Sequence, residues 1–486
     1  MYLGIDLGTS GLKCIVMDDA GDVVAEGKSP LSVQRPHPTH AEQNPSDWFD
    51  ALEAAVLSIP ASVRSGVAAI GLAGQMHGAV CLDGSGEVLR PAILWNDGRA
   101  WKECADIEAH EERSRAITGN LALPGFTAPK LLWIKRHEPE VFRQVRSVLL
   151  PKDYLRLRLS GDRATDLSDA SGTLWLDVAG RRWSEPMLAA TDLDVSCMPD
   201  LFEGHEVTGT LTASLAARWG MPPVPIVAGG GDNAAGAIGV GVHDDGDALL
   251  SLGTSGVIFA PSREHRPNAE SGVHAFCHAV PGRWHQMTVM LSAMACVDWA
   301  ARLCGTNDIG SFVESARKAN ETSVPIFLPY LSGERTPHND PHARGALFNM
   351  DHDTGSPEVA RAVLEGIAFG LADGLSSLSG ADGFSEVTVI GGGARSEFFG
   401  DILATTLDKT LTYRRRSDVG PALGAARLAR AGTSASSVFE GMSKPDVIAV
   451  RPPSSQLAEG LQLRRQTFRQ LYPANQPLFP HRDAQS

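Results

Sequence analysis

The chain has 486 residues, of which 43% are hydrophobic and 21% charged, and its formal net charge is −14. This composition is typical of a globular protein, and the length predicts two or three domains, each large enough for its own core. The acidic balance argues against non-specific binding to nucleic acid or to an anionic membrane surface, although backbone dipoles can still hold a small anion.

Cellular location is predicted from cysteines and from hydrophobic runs. The seven cysteines are scattered without CxxC pairs, which is typical of reduced thiols in a cytoplasm. The chain opens MYLGIDLG without a basic and apolar leader, and it has no uncharged apolar run of about 18 residues. We therefore expect a cytoplasmic protein without a membrane anchor.

In chain order, the first half begins with strands at Leu3–Asp6, Leu12–Met17 and Val23–Glu26, joined as a meander. A helix is predicted over 45–57, where apolar residues recur at helical spacing, and a strand over Val67–Ala73. Pro129–Arg136 predicts a helix with proline near its start. The strand Val224–Ala228 runs through GGGD into a helix of small residues.

The second half repeats this organisation from about residue 246. Ala248–Leu252 and Gly256–Ala260 predict a hairpin, Glu358–Leu378 a long helix, and Val387–Ile390 a strand that enters a glycine turn and a helix. A small-residue helix is expected within 414–432, and the polar tail after Pro452 is expected to be peripheral. We predict an N-terminal domain over 1–245 and a C-terminal domain over 246–486.

The pentapeptide LGTSG occurs in both halves, at Leu7–Gly11 and Leu252–Gly256, each time after an apolar strand. Such a turn offers backbone N–H groups and hydroxyls, and its glycines allow a phosphate to come close. A single copy would be read as a tight hairpin, but two copies favour a nucleotide phosphate chain held from both sides. The predicted phosphate site comprises Gly8, Thr9, Ser10, Gly11, Lys13, Gly253, Thr254 and Ser255. Asp6 precedes the first turn, where a carboxylate could hold the accompanying Mg²⁺.

Several motifs spread along the chain resemble those of the FGGY carbohydrate kinase family. They are IDLGTSG at 5–11, SLGTSG at 251–256, VAGGGDNAAGA at 227–237, FLPYLSGERTP at 327–337 and VIGGGARSE at 389–397. The resemblance implies an α/β fold of two actin-like, ribonuclease H-type domains with a catalytic cleft between them. It also implies phosphate transfer from Mg·ATP to a small sugar, with D-xylulose first and ribulose, fuculose or glycerol as alternatives.

Asp232 follows a buried strand and three glycines and opens a helix, so its carboxylate is expected at a ligand-binding strand end. Alone it could equally be a helix cap. The resemblance implies that Asp232 is the catalytic base and that it contributes to the Mg·ATP site. A second class with the same hairpins, an actin-like or chaperone-like ATPase, would hydrolyse ATP without a sugar.

The resemblance places the sugar against Met76 and His77 in GQMHGA, where flanking glycines allow close approach. WNDGR supplies Trp95, Asn96, Asp97 and Arg99 as a substrate wall, since charged groups can bind hydroxyls and an indole can cover a sugar face; a plain surface turn is the alternative. The resemblance also places adenosine along Gly392, Gly393 and Ala394. We expect no resident metal site, and we leave a homodimer open.

Overall fold

Two seven-stranded sheets form the framework of the protein in a computed structural model that describes residues 1–384, 386–415, 420–434 and 437–480. Short two-stranded ribbons and loops connect them. Among the residues described, no helix is both long enough and apolar enough to cross a bilayer.

Strands of the first half are β1 (Tyr2–Leu7), β2 (Gly11–Met17), β3 (Val23–Pro30), β4 (Glu42–Gln43), β5 (Ala69–Gly74), β6 (Val80–Leu82), β7 (Ala92–Ile93), β8 (Ser147–Leu149), β9 (Ala164–Asp166), β10 (Leu176–Asp177), β11 (Arg182–Trp183), β12 (Asp200–Phe202), β13 (Val207–Thr210), β14 (Pro225–Val227) and β15 (Gly230–Gly231). Its helices are α1 (Pro45–Ser58), α2 (Ala61–Arg64), α3 (Trp101–His110), α4 (Ser114–Thr118), α5 (Thr127–His137), α6 (Pro139–Gln144), α7 (Pro151–Ser160), α8 (Leu167–Ser171), α9 (Glu185–Ala189), α10 (Ala213–Trp219) and α11 (Asp232–Gly239).

Strands of the second half are β16 (Leu249–Leu252), β17 (Gly256–Ser262), β18 (His274–Cys277), β19 (Trp284–Met290), β20 (Ile326–Leu328), β21 (Ala346–Phe348), β22 (Glu386–Ile390), β23 (Thr410–Arg414) and β24 (Val447–Arg451). Its helices are α12 (Met294–Leu303), α13 (Ile309–Ser315), α14 (Ser356–Ser376), α15 (Glu397–Leu407), α16 (Gly420–Thr433) and α17 (Ser455–Asn475). The helix predicted within 414–432 is therefore α16, and residues 416–419 of that stretch lie outside the described residues.

Followed from β13 and from β24, the two sheets share one strand order, and the second has β18 as an additional strand at its other edge. The first runs β13-β14-β5-β1-β2-β3, with β15 beside β5, and the second runs β18-β19-β17-β16-β22-β23-β24. In each, an antiparallel meander is followed by parallel pairing of its first strand, β1 with β5 and β16 with β22. An antiparallel strand closes each far edge, β13 or β24. This duplicated order is the actin-like, ribonuclease H-type arrangement, so the predicted fold class is confirmed.

Helix α16 belongs to the second half of the sequence but packs on the first sheet. A Cβ atom at Gly4 of β1 would lie 1.9 Å from the Ala422 carbonyl oxygen, and one at Gly71 of β5 would lie 2.0 Å from that of Ala425. Only glycine lets the helix backbone approach these strands so closely. The predicted division at residue 245 stays a prediction, and α16 ties the two halves together across it.

The tail after Pro452 is not peripheral, contrary to the prediction. It forms α17, whose Leu461, Phe468 and Leu471 are buried in the core of the second sheet. The prediction failed because these three apolar residues lie among mostly charged and polar ones, yet they fall on one face of a helix.

Candidate active site

Two carboxylates meet at one edge of the first sheet. Asp6 near the end of β1 pairs in register with Ala73 of β5, and Gly231 of β15 pairs with Gly74, the next residue of β5. Asp232 follows Gly231 and opens helix α11. Parallel strands that end at the same edge thus bring the first and second acidic candidates together.

Burial and the nearby charge of Asp232 both act on Asp6 at this edge. Burial, followed by the charge of Asp232, raises the pKa of Asp6 to about 7, while Lys13, paired with Asp6 across β1 and β2, lowers it. Burial raises the pKa of Asp232 to about 6. Its Oδ1 accepts hydrogen bonds from the backbone N–H and side-chain amide of Asn233, at 2.7 and 2.9 Å, which favour the charged form.

The first LGTSG turn is closed by the Gly8 N–H, which donates to the Gly11 carbonyl at 3.0 Å. The Thr9 hydroxyl donates to Gln75 Oε1 at 2.9 Å and accepts from Trp95 Nε1 at 3.0 Å. Its proton is therefore used inside the protein, and Thr9 joins the predicted phosphate turn to the predicted sugar wall. The sequence did not reveal this, because Thr9 and its two partners are far apart along the chain.

The second LGTSG turn has a different register. Leu252 pairs with Gly256, which leaves a three-residue loop, whereas Leu7 pairs with Leu12 around the four residues of the first turn. The carbonyls of Gly253 and Thr254 accept N–H groups at the start of α12, from Met294 and Ala293. Thr254 is exposed. That the two turns hold one phosphate chain stays a prediction.

His77 has a φ of 68°, an unusual backbone conformation for a residue with a side chain. Its carbonyl accepts hydrogen bonds from Lys130 Nζ at 2.8 Å and from the Thr127 hydroxyl at 3.2 Å, which fix that conformation. Burial lowers the pKa of His77 to about 3, so the ring is neutral at pH 7. Nδ1 lies 2.6 Å from the Gly172 carbonyl and must donate to it, which leaves Nε2 as an acceptor.

Met76 packs against the residue that precedes Asp232, and His77 packs against the residue that follows helix α8. A Cβ atom at Gly231 would lie 2.9 Å from Met76 Sδ, and one at Gly172 would lie 2.5 Å from His77 Nδ1. A larger residue at either position would have to displace these side chains. The structure thus places Met76 against the peptide that enters the predicted base, and His77 is the next residue along the chain.

The WNDGR segment divides into an open and a buried part. Trp95 and Asn96 are exposed, but the side chains of Asp97 and Arg99 are 0% and 3% exposed and form an ion pair at 2.7 Å. Asp97 also accepts the Ala41 N–H. In this structure Asp97 and Arg99 bind each other and brace the loop that presents Trp95 and Asn96, and their contact with sugar hydroxyls stays a prediction.

The glycine turn after β22 lies against the second hairpin. A Cβ atom at Gly393 would lie 2.6 Å from Met294 Sδ and 3.0 Å from Leu252 Cβ, so the segment Gly392–Arg395 sits on the last residue of β16 and the start of α12. This places the backbone of Gly392, Gly393 and Ala394 near the second LGTSG turn. Their contact with adenosine stays a prediction.

Comparison with known proteins identifies the family. The model of the FGGY family of carbohydrate kinases, N-terminal domain, matches residues 1–239, and the model of its C-terminal domain matches residues 248–432. The chain belongs to the FGGY family of carbohydrate kinases.

Relatives of this FGGY kinase match it over nearly its whole length. It is 54% identical to a xylulose kinase of Escherichia coli (strain K12), over 99% of this chain and 100% of that protein. A crystal structure described as a xyloylose kinase from Brucella ovis superposes with a TM-score of 0.95 at 43% identity, covering 98% of this chain and 99% of that one. A ligand-bound xylulose kinase from Lactobacillus acidophilus gives a TM-score of 0.92 at 25% identity, with 98% of both chains covered.

Two further features of the FGGY kinase were not foreseen as parts of the site. Gln75, directly before Met76, is buried and donates from Nε2 to Gln43 Oε1 at 2.9 Å. Arg335 of the SGERTP motif donates to His274 Nε2 at 3.0 Å, and its charge helps to lower the pKa of His77. The available sequence signal for Gln75 was its position between Gly74 and the predicted ligand residue Met76. The partner of Arg335 follows only from the tertiary fold.

Proposed function

We propose that this FGGY kinase transfers the terminal phosphoryl group of ATP to D-xylulose and forms D-xylulose 5-phosphate. The observation that carries the proposal is that Gly231, directly before Asp232, lies against Met76 at the sheet edge that also carries Asp6. The whole-length likeness to proteins named xylulose kinase supports the choice of sugar.

Asp232 acts in this proposal as the general base toward the hydroxyl that is phosphorylated. Its pKa of about 6 leaves the carboxylate mostly ionised at pH 7, yet basic enough to accept a proton as the hydroxyl attacks. In phosphoryl transfer the transition state is loose, so holding the hydroxyl in line with the phosphorus atom contributes as much as proton removal.

The nucleotide is proposed to lie between the two LGTSG turns, with adenosine along Gly392–Ala394. The exposed Thr254 offers a hydroxyl to the phosphates, and backbone N–H groups of Ser10 and Ser255 are further candidate donors. The domains proposed for the two sides are 1–245 and 246–486, with the catalytic cleft between them and the cytoplasm as the place of action.

Asp6 and Asp232 suit the Mg²⁺ that accompanies ATP. Mg²⁺ binds one or two carboxylates together with phosphate oxygens and waters, and the mutual repulsion that raises the pKa of Asp6 is relieved by a divalent cation. When bound, the ion would neutralise phosphate charge.

The sugar proposed here is neutral. Met76 supplies apolar surface and His77 supplies an acceptor at Nε2, while the carboxylates nearby would repel an acidic substrate. D-Ribulose, which differs from D-xylulose at one hydroxyl, would leave a polar partner unsatisfied, at a cost of about 1–3 kcal/mol.

A panel of ketoses and polyols at saturating Mg·ATP tests the proposal. We expect kcat/KM for D-xylulose to exceed that for D-ribulose by at least about ten-fold. Asp232→Asn should fold, bind the sugar and lose roughly 10²-fold or more in kcat. A wild-type preference for D-ribulose or glycerol would contradict the sugar assignment, and ATP hydrolysis unaffected by any sugar would favour the ATPase alternative.

A further inference from the structure

A short buried helix in the first half of the chain contacts the candidate site from the protein interior. Helix α8 (Leu167–Ser171) is buried along its whole length, and the Asp166 side chain caps it by accepting the N–H of Ser168 at 2.7 Å and that of Asp169 at 3.3 Å. None of these residues belongs to a motif used above. Their contacts nevertheless reach both the base and the sugar residues.

The Ser168 hydroxyl connects this helix to the strand that carries the base. It donates its proton to Asp166 Oδ2 and accepts the N–H of Gly231 at 3.1 Å. A carboxylate can only accept here, so the direction of both hydrogen bonds is fixed. Gly231 directly precedes Asp232, and the bond therefore sets where the peptide that enters Asp232 lies.

A buried cation fixes Asp166 in turn. Lys152 Nζ lies 2.8 Å from Asp166 Oδ1, 2.6 Å from Asp153 and 3.3 Å from Asp169, and all four side chains are at most 1% exposed. Lys152 also lies directly beneath the paired strand ends, since a Cβ atom at Gly74 would be 3.2 Å from Lys152 Cβ. The ion cluster therefore leaves Asp166 one arrangement.

The other end of the same segment binds His77, one of the residues proposed to contact the sugar. Gly172, the residue after α8, accepts the His77 Nδ1 proton at 2.6 Å and sets the tautomer of that ring. The segment Asp166–Gly172 thus touches the peptide before Asp232 at one end and His77 at the other. A displacement of the helix would move the proposed base and the proposed sugar contact relative to each other.

We propose that Ser168 is a positioning residue for Asp232, acting through the Gly231 N–H and held in place by Asp166 and Lys152. The proposal rests on the proposed role of Asp232 as the base. A base that is misplaced by a fraction of an ångström still binds substrate but meets the hydroxyl in the wrong geometry, which lowers kcat rather than affinity.

Ser168→Ala is compared with Ser171→Ala, a matched control on the same helix. Ser171 is also a buried hydroxyl that accepts a backbone N–H, that of Cys277 at 3.0 Å, but it has no contact with the peptide before Asp232. We expect Ser168→Ala to lower kcat about ten-fold with both KM values within about two-fold of wild type. Ser171→Ala should stay within about two-fold in kcat. Equal losses in the two variants would overturn the proposal.

Ser168→Ala is then combined with Asp232→Asn in a double variant. If Ser168 acts through Asp232, adding Ser168→Ala should change the residual kcat of Asp232→Asn by less than about two-fold. A full ten-fold loss in that background would overturn the proposal while leaving the base assignment intact. Near-normal turnover of Asp232→Asn itself would overturn both. If Ser168→Ala does not fold, it is replaced by Asp166→Asn, which keeps an acceptor for the helix N–H groups. The comparison with Ser171→Ala and the double variant with Asp232→Asn are then judged by the same fold-changes.

Discussion

Acid should destabilise this kinase through histidines buried between its two halves. Rings of the first half and of the second sheet pack in one series, with successive centroids 4.2 to 5.7 Å apart: His77, Phe126, His274, Phe276, His285, Phe259 and His278. The histidines of β18 and β19 and the neighbouring His278 are at most 3% exposed. Burial lowers the pKa of all four histidines, so each is neutral in the folded protein at pH 7.

His278 shows why its ring resists protonation. Nδ1 accepts the Ala279 N–H at 2.7 Å, so Nε2 must carry the ring proton and donate to the Val242 carbonyl at 3.2 Å. A second proton on Nδ1 would break the first bond and leave a charge without a carboxylate partner. Burial, and after it the positive neighbours His243, Arg283 and Arg181, lower the pKa of His278 to about 3.

The magnitude follows from the difference between the folded and unfolded states. The unfolded ring has a pKa of about 6.5, so below that pH the unfolded chain binds a proton that the folded chain refuses. The contribution to stability is complete above about pH 6.5 and is lost as pH falls toward 3. Between pH 7 and pH 5 this amounts to about 2 kcal/mol for His278, and His274 and His285 act in the same direction.

Urea unfolding at pH 7 and pH 5 measures the effect. His278→Gln keeps a hydrogen-bond acceptor and donor at this position but cannot be protonated. This variant should be less stable than wild type at pH 7, but between pH 7 and pH 5 its free energy of unfolding should fall by about 2 kcal/mol less than that of wild type. His110→Gln, at an exposed position at the end of α3, serves as the control and should keep the wild-type loss. An equal pH 7 to pH 5 loss in wild type and His278→Gln would refute the reasoning.

Two further predictions concern the ligand contacts. Thr254→Val should raise KM for ATP several-fold and leave KM for the sugar unchanged, whereas Thr9→Val should raise both KM values, because the Thr9 hydroxyl also binds Gln75 and Trp95. Steady-state kinetics in which each substrate is varied in turn measures the two KM values. The same pair of KM changes in both variants would contradict the different roles inferred for the two hydroxyls. His77→Ala should narrow the preference for D-xylulose over D-ribulose, since it removes the Nε2 acceptor; a ratio of kcat/KM values equal to that of wild type would exclude His77 from discrimination.

Much of the fold could be predicted from the sequence because its signals are local. The strand and glycine patterns around both LGTSG copies identified β1, β2, β16 and β17 within two residues of their observed ends, and a helix predicted over 358–378 is found at Ser356–Ser376. The packing of α16 on the first sheet was not predictable in this way. It depends on Gly4 and Gly71 facing a helix that lies more than 340 residues further along the chain.

The sequence predicted those site residues that belong to a motif, and it missed the contacts between residues far apart along the chain. Asp6 and Asp232 lie at one sheet edge and Met76 packs against Gly231, because these residues sit near glycine turns at strand ends, while their contacts with ligands stay predictions. Asp97 and Arg99 form complementary charges that suit a sugar hydroxyl or each other equally well. Composition cannot choose between these partners; in the folded protein the two side chains pair with each other, and a sugar contact stays a prediction.

The ion cluster at Lys152 shows a further reason why part of the site escapes sequence analysis. One lysine and three aspartate side chains, each at most 1% exposed, cost more to bury than apolar residues of the same volume. Such a cluster is therefore a poor source of stability, but it does impose geometry, because the one ammonium group of Lys152 lies within 3.3 Å of all three acids. Asp166 is the member that faces outward to the site through Ser168. The charges that fix the proposed base thus lie one layer below it, in side chains that no sequence pattern assigned to the site.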